Sequence, residues 1–249
     1  MEIEHQLGLI GYPLSHSFSE KHFAQKFITE KIEGYDYQLF PIEKIELLSD
    51  LMNNHPNLLG INVTIPYKEL VFPFMDEVSE AVKEIQAINT IKIKNGKIKG
   101  YNTDVYGFKQ SLLPFLKSHH KKALILGTGG AAKAVKFVFK QLGISYQSVS
   151  RTPKSTELAY ADITAELLQT RHIIVNTTPL GTFPNADFCP DIAYEGLSEK
   201  HLLYDLVYNP AETLFLKKGK SQHALIKNGL EMLHLQAEKS WEIWTSNEE

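Results

Sequence analysis

Along the first 65 residues, short apolar runs alternate with amphipathic stretches. The runs at 5–10, 35–42 and 58–65 close on turn residues, Gly11-Tyr12-Pro13 after the first and Pro66 after the third, and so read as strands. Between them, Phe23, Ala24, Phe27 and Ile28 recur at helical spacing, and 45–52 reads as a short helix. Ser17 followed by Glu20 is a capping-box pattern ahead of the first helix. In 87–101, Asn95-Gly96 between alternating residues predicts a type I′ hairpin with Ile93 facing Ile98 and Lys92 facing Lys99. One face of that ribbon is expected to be buried and the other lined by lysine, which discourages edge-to-edge pairing. A helix then runs from Val105 toward Pro114. Strands follow at 123–126, 144–149, 172–175 and 202–207, with a helix over 131–142 closed by Gly143. The last helix, 230–244, carries Leu230, Leu233, Ala237, Trp241 and Trp244 on one stripe expected to be core, with Gln236 off it. Strands alternating with helices indicate the α/β class, with a domain boundary near Thr103.

With 249 residues and 43% apolar content the chain can fill a sizeable core. A net charge of −3 gives no basic excess for nucleic acid or an anionic membrane surface, so small molecules are the expected partners. Cys189 is the single cysteine, which excludes an intrachain disulfide and a cysteine metal site. The start, Met1-Glu2-Ile3-Glu4-His5, carries acids and no long apolar run, so neither a secretory signal nor a transmembrane helix is expected. A cytoplasmic protein, monomer or homodimer, with no metal, is the expectation.

The candidate chemistry centres on Leu124-Ile125-Leu126-Gly127-Thr128-Gly129-Gly130-Ala131-Ala132, an apolar run that ends in glycines and reopens as an alanine-rich helix. Gly127 suits the tight turn, Gly129 lets backbone amides approach a pyrophosphate, and Ala132 allows close helix packing. About 20 residues past such glycines, an NAD site presents an acid to the ribose hydroxyls. Here Ser150, Arg151, Thr152 and Lys154 occupy that region, and cations there suit the 2′-phosphate of NADP; the alternative is an exposed basic turn. In the first half, Ser17 and Ser19 at a helix N-terminus either cap the helix or hold a small carboxylate. Asn62 and Thr64 share one side of a strand, and Lys68 follows a proline turn, where a lysine is ordinarily solvated. Asn89-Thr90 and Asn102-Thr103-Asp104 lie at one end of the hairpin and can converge.

Taken together, these strings resemble the shikimate dehydrogenase family, in the family's order and over nearly the whole chain. The matching motifs are Gly11-x-Pro13 with His16-Ser17-x-Ser19, Asn62-Val63-Thr64-x-Pro66-x-Lys68, Asn89-Thr90, Asn102-Thr103-Asp104 with Gly107, Gly127-x-Gly129-Gly130-Ala131, Arg151-Thr152, Asn176-x-Thr178-x-x-Gly181, Asp205-x-x-Tyr208-x-Pro210 and Gln236-Ala237. The resemblance implies an N-terminal α/β substrate domain, 1–103 completed by 229–249, and a Rossmann-like NADP-binding domain, 104–228. The resemblance also implies a cleft between the two, with the C-terminal helices returning to the first. It further implies that Lys68 and Asp104 are the catalytic pair, that Ser17 and Ser19 bind the substrate carboxylate, and that Thr64, Asn89, Asn102, Tyr208 and Gln236 contact its hydroxyls or ring. The implied cofactor set is Gly127, Thr128, Gly129, Gly130, Ala131, Ser150, Arg151, Thr152, Lys154, Thr177, Thr178, Leu206 and Gly229. Four positions depart from the family pattern: Glu20 where proline is usual, Gln86 where glycine often stands, Ser150 for asparagine, and Glu231 for the second glycine of Gly-x-Gly-Met.

The implied reaction is the reversible NADPH-dependent reduction of 3-dehydroshikimate to shikimate. Hydride addition leaves negative charge on the carbonyl oxygen, which requires a positive or proton-donating group there. Lys68 can supply it, with Asp104 orienting the ammonium. Three alternatives stay open: a quinate/shikimate dehydrogenase of broader specificity, an S-adenosylmethionine-dependent methyltransferase, and a non-catalytic NADP-binding regulator. The basic strand end at Arg151 argues against the methyltransferase, which prefers an acid there.

Overall fold

The structure is a computed structural model that describes residues 3–14 and 17–246; Ser15 and His16, the latter part of the first motif, lie outside the described residues. The chain divides into two compact units, 1–104 with 236–249, and 105–235.

The first unit holds a six-stranded mixed sheet built from β1 (His5–Gly11), β2 (Tyr35–Pro41), β3 (Leu58–Val63), β4 (Glu77–Val78), β5 (Thr90–Lys94) and β6 (Lys97–Tyr101), in the order β2-β1-β3-β5-β6-β4. Strands β1, β2 and β3 run parallel, while β5 is antiparallel to both β3 and β6. The helices are α1 (Phe18–Thr29), α2 (Leu48–Asn54) and α3 (Glu80–Ile85). On one face, Ile10, Ile61, Val63, Ile88 and Ile91 pack with Leu48 of α2 and Val82 of α3. On the other, Leu7, Leu9 and Tyr37 pack with Phe23 of α1 and with Ala237 and Trp244 of the terminal helix, α8 (Leu230–Thr245). Trp244 is 1% exposed and donates from Nε1 to the Ile91 carbonyl oxygen at 2.8 Å. Gly60 makes room for it, since a Cβ there would stand 2.1 Å from that nitrogen. Lys26 of α1 and Glu238 of α8 pair at 2.7 Å.

The hairpin forms in the expected register, Ile93 with Ile98 and Lys92 with Lys99, with Asn95 and Gly96 at positive φ as a type I′ turn requires. Its lysine face is not uniformly solvated. Lys92 is 4% exposed and donates to the Ser246 carbonyl oxygen and hydroxyl, so Ser246, just past α8, covers that part of the ribbon. Strand β3 ends at Val63, which leaves Thr64 past the ladder: Asn62 is buried in the core and Thr64 opens the following turn.

The second unit contains an all-parallel five-stranded sheet of β7 (Lys122–Leu126), β8 (Ser145–Val149), β9 (Ile173–Asn176), β10 (Leu202–Asp205) and β11 (Leu225–Lys227), ordered β11-β10-β9-β7-β8. Its helices are α4 (Asp104–Leu112, whose first residue belongs to the first unit), α5 (Gly130–Gln141), α6 (Ala165–Leu168) and α7 (Leu214–Ser221). The period of two splits the central strands between two cores. Ala123, Ile125, Ile173 and Val175 pack with Val135 and Phe139 of α5, whereas Leu124, Leu126 and Ile174 pack with Leu168 of α6 and Phe215 of α7. Burial on both faces explains why these strands are continuous apolar runs in the sequence. Chain order reverses between β7 and β9, the position at which open parallel sheets collect ligands beyond their carboxyl ends.

The division between the units within α8 has a packing reason. Met232, in its first turn, belongs to the core of the second unit, and from Gln236 onward the helix belongs to the first. Leu230 is 39% exposed, so the apolar stripe of this helix is core only beyond its opening turn.

Candidate active site

Past β3, the chain turns tightly, with Tyr67 N–H donating to the Thr64 carbonyl oxygen at 2.9 Å. The buried Tyr67 hydroxyl pins the turn by donating to the Ile42 carbonyl oxygen at 2.6 Å. The next residue, Lys68, accepts the Ile88 N–H on its own carbonyl oxygen at 2.7 Å, which fixes its backbone against the segment leading into β5. Its ammonium reaches Asp104, Nζ to Oδ2 at 2.7 Å, with side-chain exposures of 22% and 11%. Asp104 opens α4, where the helix dipole favours a carboxylate. The pair is neither a solvated surface contact nor sealed from water: a proton donor and its counter-charge are held together and stay accessible.

Asn89 holds the other carboxylate oxygen, Nδ2 to Asp104 Oδ1 at 2.9 Å. The same amide nitrogen donates to Thr103 Oγ1 at 3.0 Å and to Gln236 Oε1 at 3.4 Å, while Asn89 Oδ1 accepts the Thr103 N–H at 2.7 Å. Asn102 is buried and donates to the Ala87 carbonyl oxygen at 2.9 Å. Thus Lys68, Asn89, Asp104 and Gln236 form one bonded cluster with Asn102 close to it in the chain. Ser17 does cap α1, accepting the Glu20 N–H at 3.4 Å. Ser19 is bonded instead to the Tyr37 hydroxyl, whose ionisation burial pushes far above the usual phenol range. Tyr37 in turn donates to Asn62 Oδ1 at 2.9 Å. Thr64 stands at the start of the Lys68 turn. Tyr208 belongs to the second unit, 39% exposed after β10.

The glycine loop joins β7 to α5 at the point of strand reversal. Gly127 has φ +109°, and a Cβ there would approach Thr177 Oγ1 to 2.7 Å, so a side chain is excluded on two counts. Thr177 is locked over it, donating from N and from Oγ1 to the Leu126 carbonyl oxygen at 2.9 and 2.7 Å. A Cβ on Gly129 or Gly130 would meet nothing within 4 Å, so the α5 N-terminus opens on free space, and its first turn carries no acid. Thr128 at the loop tip is exposed, Ala131 is half-buried, and Thr178 donates to Asn176 Oδ1 at 2.7 Å. Beyond β8, residues 150–158 leave the sheet and return, with Ser150 N–H donating to the Leu158 carbonyl oxygen at 2.9 Å. Arg151, Thr152 and Lys154 are exposed on that excursion. Gly229 packs against Leu206, since a Cβ would fall 2.1 Å from the Leu206 carbonyl oxygen. Among the described residues no cluster of three or more His, Cys, Asp or Glu could hold a metal ion, and no helix is long and apolar enough to cross a membrane.

A family model described as the shikimate dehydrogenase substrate binding domain matches residues 9–91. The chain is 39% identical to the shikimate dehydrogenase (NADP(+)) of Carboxydothermus hydrogenoformans, the match covering 96% of this chain and 90% of that protein. It is 40% identical to that of Clostridium beijerinckii, over 95% of this chain and 90% of the relative. The chain belongs to the shikimate dehydrogenase family. Among solved structures, shikimate 5-dehydrogenase of Thermus thermophilus, in complex with NADP(H) and shikimate, superposes with a TM-score of 0.85 at 28% identity, covering 97% of this chain and 93% of that one.

The structure gives physical content to the four departures from the family pattern. Gln86 ends α3 at φ +56°, the left-handed region in which glycine is unstrained, and offsets the strain by donating from Nε2 to the Lys83 carbonyl oxygen at 2.7 Å. Glu20 supplies the N–H that Ser17 accepts, a bond proline cannot make. Ser150 Oγ accepts the Thr152 N–H at 3.3 Å and closes the turn. Glu231 lies in the first turn of α8 and pairs with Lys227.

Sequence reasoning assigned no site role to Tyr37, Thr90, Thr103 or Ser240, all bonded behind the Lys68–Asp104 pair. For Ser240 a signal existed: it falls four residues after Gln236, on the same face of its helix.

Proposed function

We propose that this protein is an NADP-dependent shikimate dehydrogenase, interconverting 3-dehydroshikimate and shikimate in the cytoplasm. The observation that carries the reading is the Lys68–Asp104 pair at 2.7 Å, with Asn89 holding the second carboxylate oxygen. In the direction of reduction the carbonyl oxygen gains negative charge as the carbon is attacked. Lys68 Nζ stabilises that charge and donates the proton that completes the hydroxyl; in the reverse direction it takes the proton back. Asp104 keeps the ammonium aimed, and Asn89 keeps Asp104 from rotating. Ser17 and Ser19 hold the substrate carboxylate, and Thr64, Asn89, Asn102, Tyr208 and Gln236 hold the ring and hydroxyls. Ser19 reaches the carboxylate by turning its hydroxyl from Tyr37.

Residues 127–131 fit a dinucleotide pyrophosphate, because the two glycines at the start of α5 leave the backbone amides uncovered and the first turn of that helix carries no acid. Thr177, Thr178, Leu206 and Gly229 complete the floor, and Ser150, Arg151, Thr152 and Lys154 would hold the 2′-phosphate. NADPH, when held by these residues, would supply the hydride.

Absorbance at the nicotinamide band, with shikimate and quinate each paired with NADP and NAD, tests the reading. Shikimate with NADP is expected to give the highest kcat/KM. Lys68→Ala should lower kcat by about 10²–10⁴-fold at saturating substrate, the usual range for general acid–base groups. Turnover of no pair, or near-normal turnover by Lys68→Ala, would overturn it.

A further inference from the structure

We propose that Ser240 is a positioning residue of this site, fixing the Asn89 amide and, through it, the Asp104 carboxylate beside Lys68. The inference rests on reading Lys68 and Asp104 as the acid/base pair. It comes from the proton arrangement of a fully buried cluster in which Thr90, Ser240 and Thr103 are at most 1% exposed.

Tyr37 sets the orientation. Its hydroxyl donates to Asn62 Oδ1, which leaves the Asn62 NH₂ to face the Asn89 carbonyl oxygen at 3.3 Å, Thr90 Oγ1 at 3.3 Å and Ser240 Oγ at 3.1 Å. Ser240 has one proton, and the Gln236 carbonyl oxygen one turn earlier takes it at 2.9 Å. Ser240 Oγ is therefore an acceptor, with the Thr90 hydroxyl at 2.8 Å and the Thr103 hydroxyl at 3.2 Å. Both threonines have a second choice of acceptor in Asn89 Oδ1, at 3.1 and 3.3 Å, and the Thr103 hydroxyl has a third in Gln236 Oε1 at 3.4 Å. Asn89 Oδ1 already receives the Thr103 N–H. By drawing a hydroxyl proton to itself, Ser240 leaves the Thr103 lone pairs turned toward the Asn89 NH₂, which also donates to Asp104 at 2.9 Å and faces Gln236 Oε1 at the longer distance of 3.4 Å. Without Ser240 Oγ the threonine protons turn to Asn89 Oδ1 and, for Thr103, to Gln236 Oε1, both of them groups around the Asn89 amide, and the Asn89 NH₂ loses its fixed arrangement against Thr103. Ser240 is not needed to dock the helix, which Trp244 and the Lys26–Glu238 pair anchor independently.

The test compares Ser240→Ala and Thr90→Val with wild type in kcat, KM and Tm, and repeats Ser240→Ala in an Asp104→Asn background. Removing one bond from the cluster should lower kcat about fivefold, within the range of a single hydrogen bond, with KM inside about twofold. In the Asp104→Asn background the same change should have almost no effect, because its route to Lys68 is gone. An unchanged kcat, or an equal loss in both backgrounds, would overturn the proposal and leave Ser240 purely structural. Should Ser240→Ala fail to fold, Thr90→Val carries the same criteria. Nuclear magnetic resonance gives a readout independent of turnover: the Asn89 side-chain ¹⁵N–H pair should be sharp and slowly exchanging in wild type and broadened in either variant. If wild type turns over no shikimate, the reaction reading falls, and this signal still decides the positioning claim; unaltered Asn89 signals in both variants would refute it.

Discussion

Asp205, the last residue of β10, is fully buried, and burial lifts its carboxyl from the ordinary 3.8 to about 6 even though three donors face it. Those donors are Thr213 Oγ1 at 2.6 Å, Asn176 Nδ2 at 2.9 Å and Val207 N–H at 3.0 Å. The raised value fixes the sign of the pH dependence. Between about 3.8 and 6 the folded state holds a proton that the unfolded chain has released, so stability falls as pH rises through that window. The loss is complete above the folded value and, at about 1.36 kcal/mol per unit, amounts to about 3 kcal/mol. Asp205→Asn stays neutral throughout. Its carbonyl oxygen can keep Asn176 and Val207, while the Thr213 hydroxyl loses its acceptor at a pH-independent cost of about 1 kcal/mol. Urea unfolding followed by far-ultraviolet circular dichroism, at intervals from about pH 4 to 7.5, should therefore show wild type the more stable at the acid end and the variant gaining by about 3 kcal/mol, net of order 2, at the neutral end. A difference flat with pH, or one moving in favour of wild type as pH rises, would refute the assignment of a desolvated carboxyl and point to donors that outweigh burial.

Two further substitutions probe other parts of the molecule. Arg151→Ala should raise KM for NADP by about tenfold while leaving KM for NAD within about twofold, since only the former carries the phosphate that an exposed guanidinium can hold; parallel changes in steady-state KM would make Arg151 a bystander. Gly60→Ala should destabilise by about 3 kcal/mol, because the added Cβ would lie 2.1 Å from Trp244 Nε1 and force the indole off the Ile91 carbonyl oxygen; thermal melting with a red-shifted tryptophan emission checks this, and an unshifted emission would contradict it.

The parts of this protein that were legible in the sequence are those where local chemistry and tertiary environment agree. The central strands of the second unit, β7, β9 and β10, are buried on both faces, so their apolar runs marked them directly, and Asn95-Gly96 carried the hairpin register because only one turn type suits it. The short elements α3, α6, α7, β4 and β11 had no such signal: their few residues pack through neighbours that the chain brings from elsewhere. Lys92 shows the limit most clearly, since alternation placed it correctly opposite Lys99 but could not reveal that Ser246 would cover it. The candidate site divides in the same way. Lys68, Asn89 and Asp104 sit at or beyond the ends of elements, where polar residues interrupt apolar runs and so stand out. Ser240 lies within α8, where a small hydroxyl residue is ordinarily silent, whereas Thr90, the first residue of β5, stood out beside Asn89 but without a role of its own. What gives them meaning is convergence: β3, β5, the end of β6 and α8 each bring one polar side chain to a single buried point, and a polar group buried there is tolerated only when its partners arrive with it. A substitution at any one of these positions is therefore felt by groups far away in the chain, which is why the pairwise coupling between Ser240 and Asp104, rather than the loss from either alone, is the quantity that distinguishes a positioning network from a packed core.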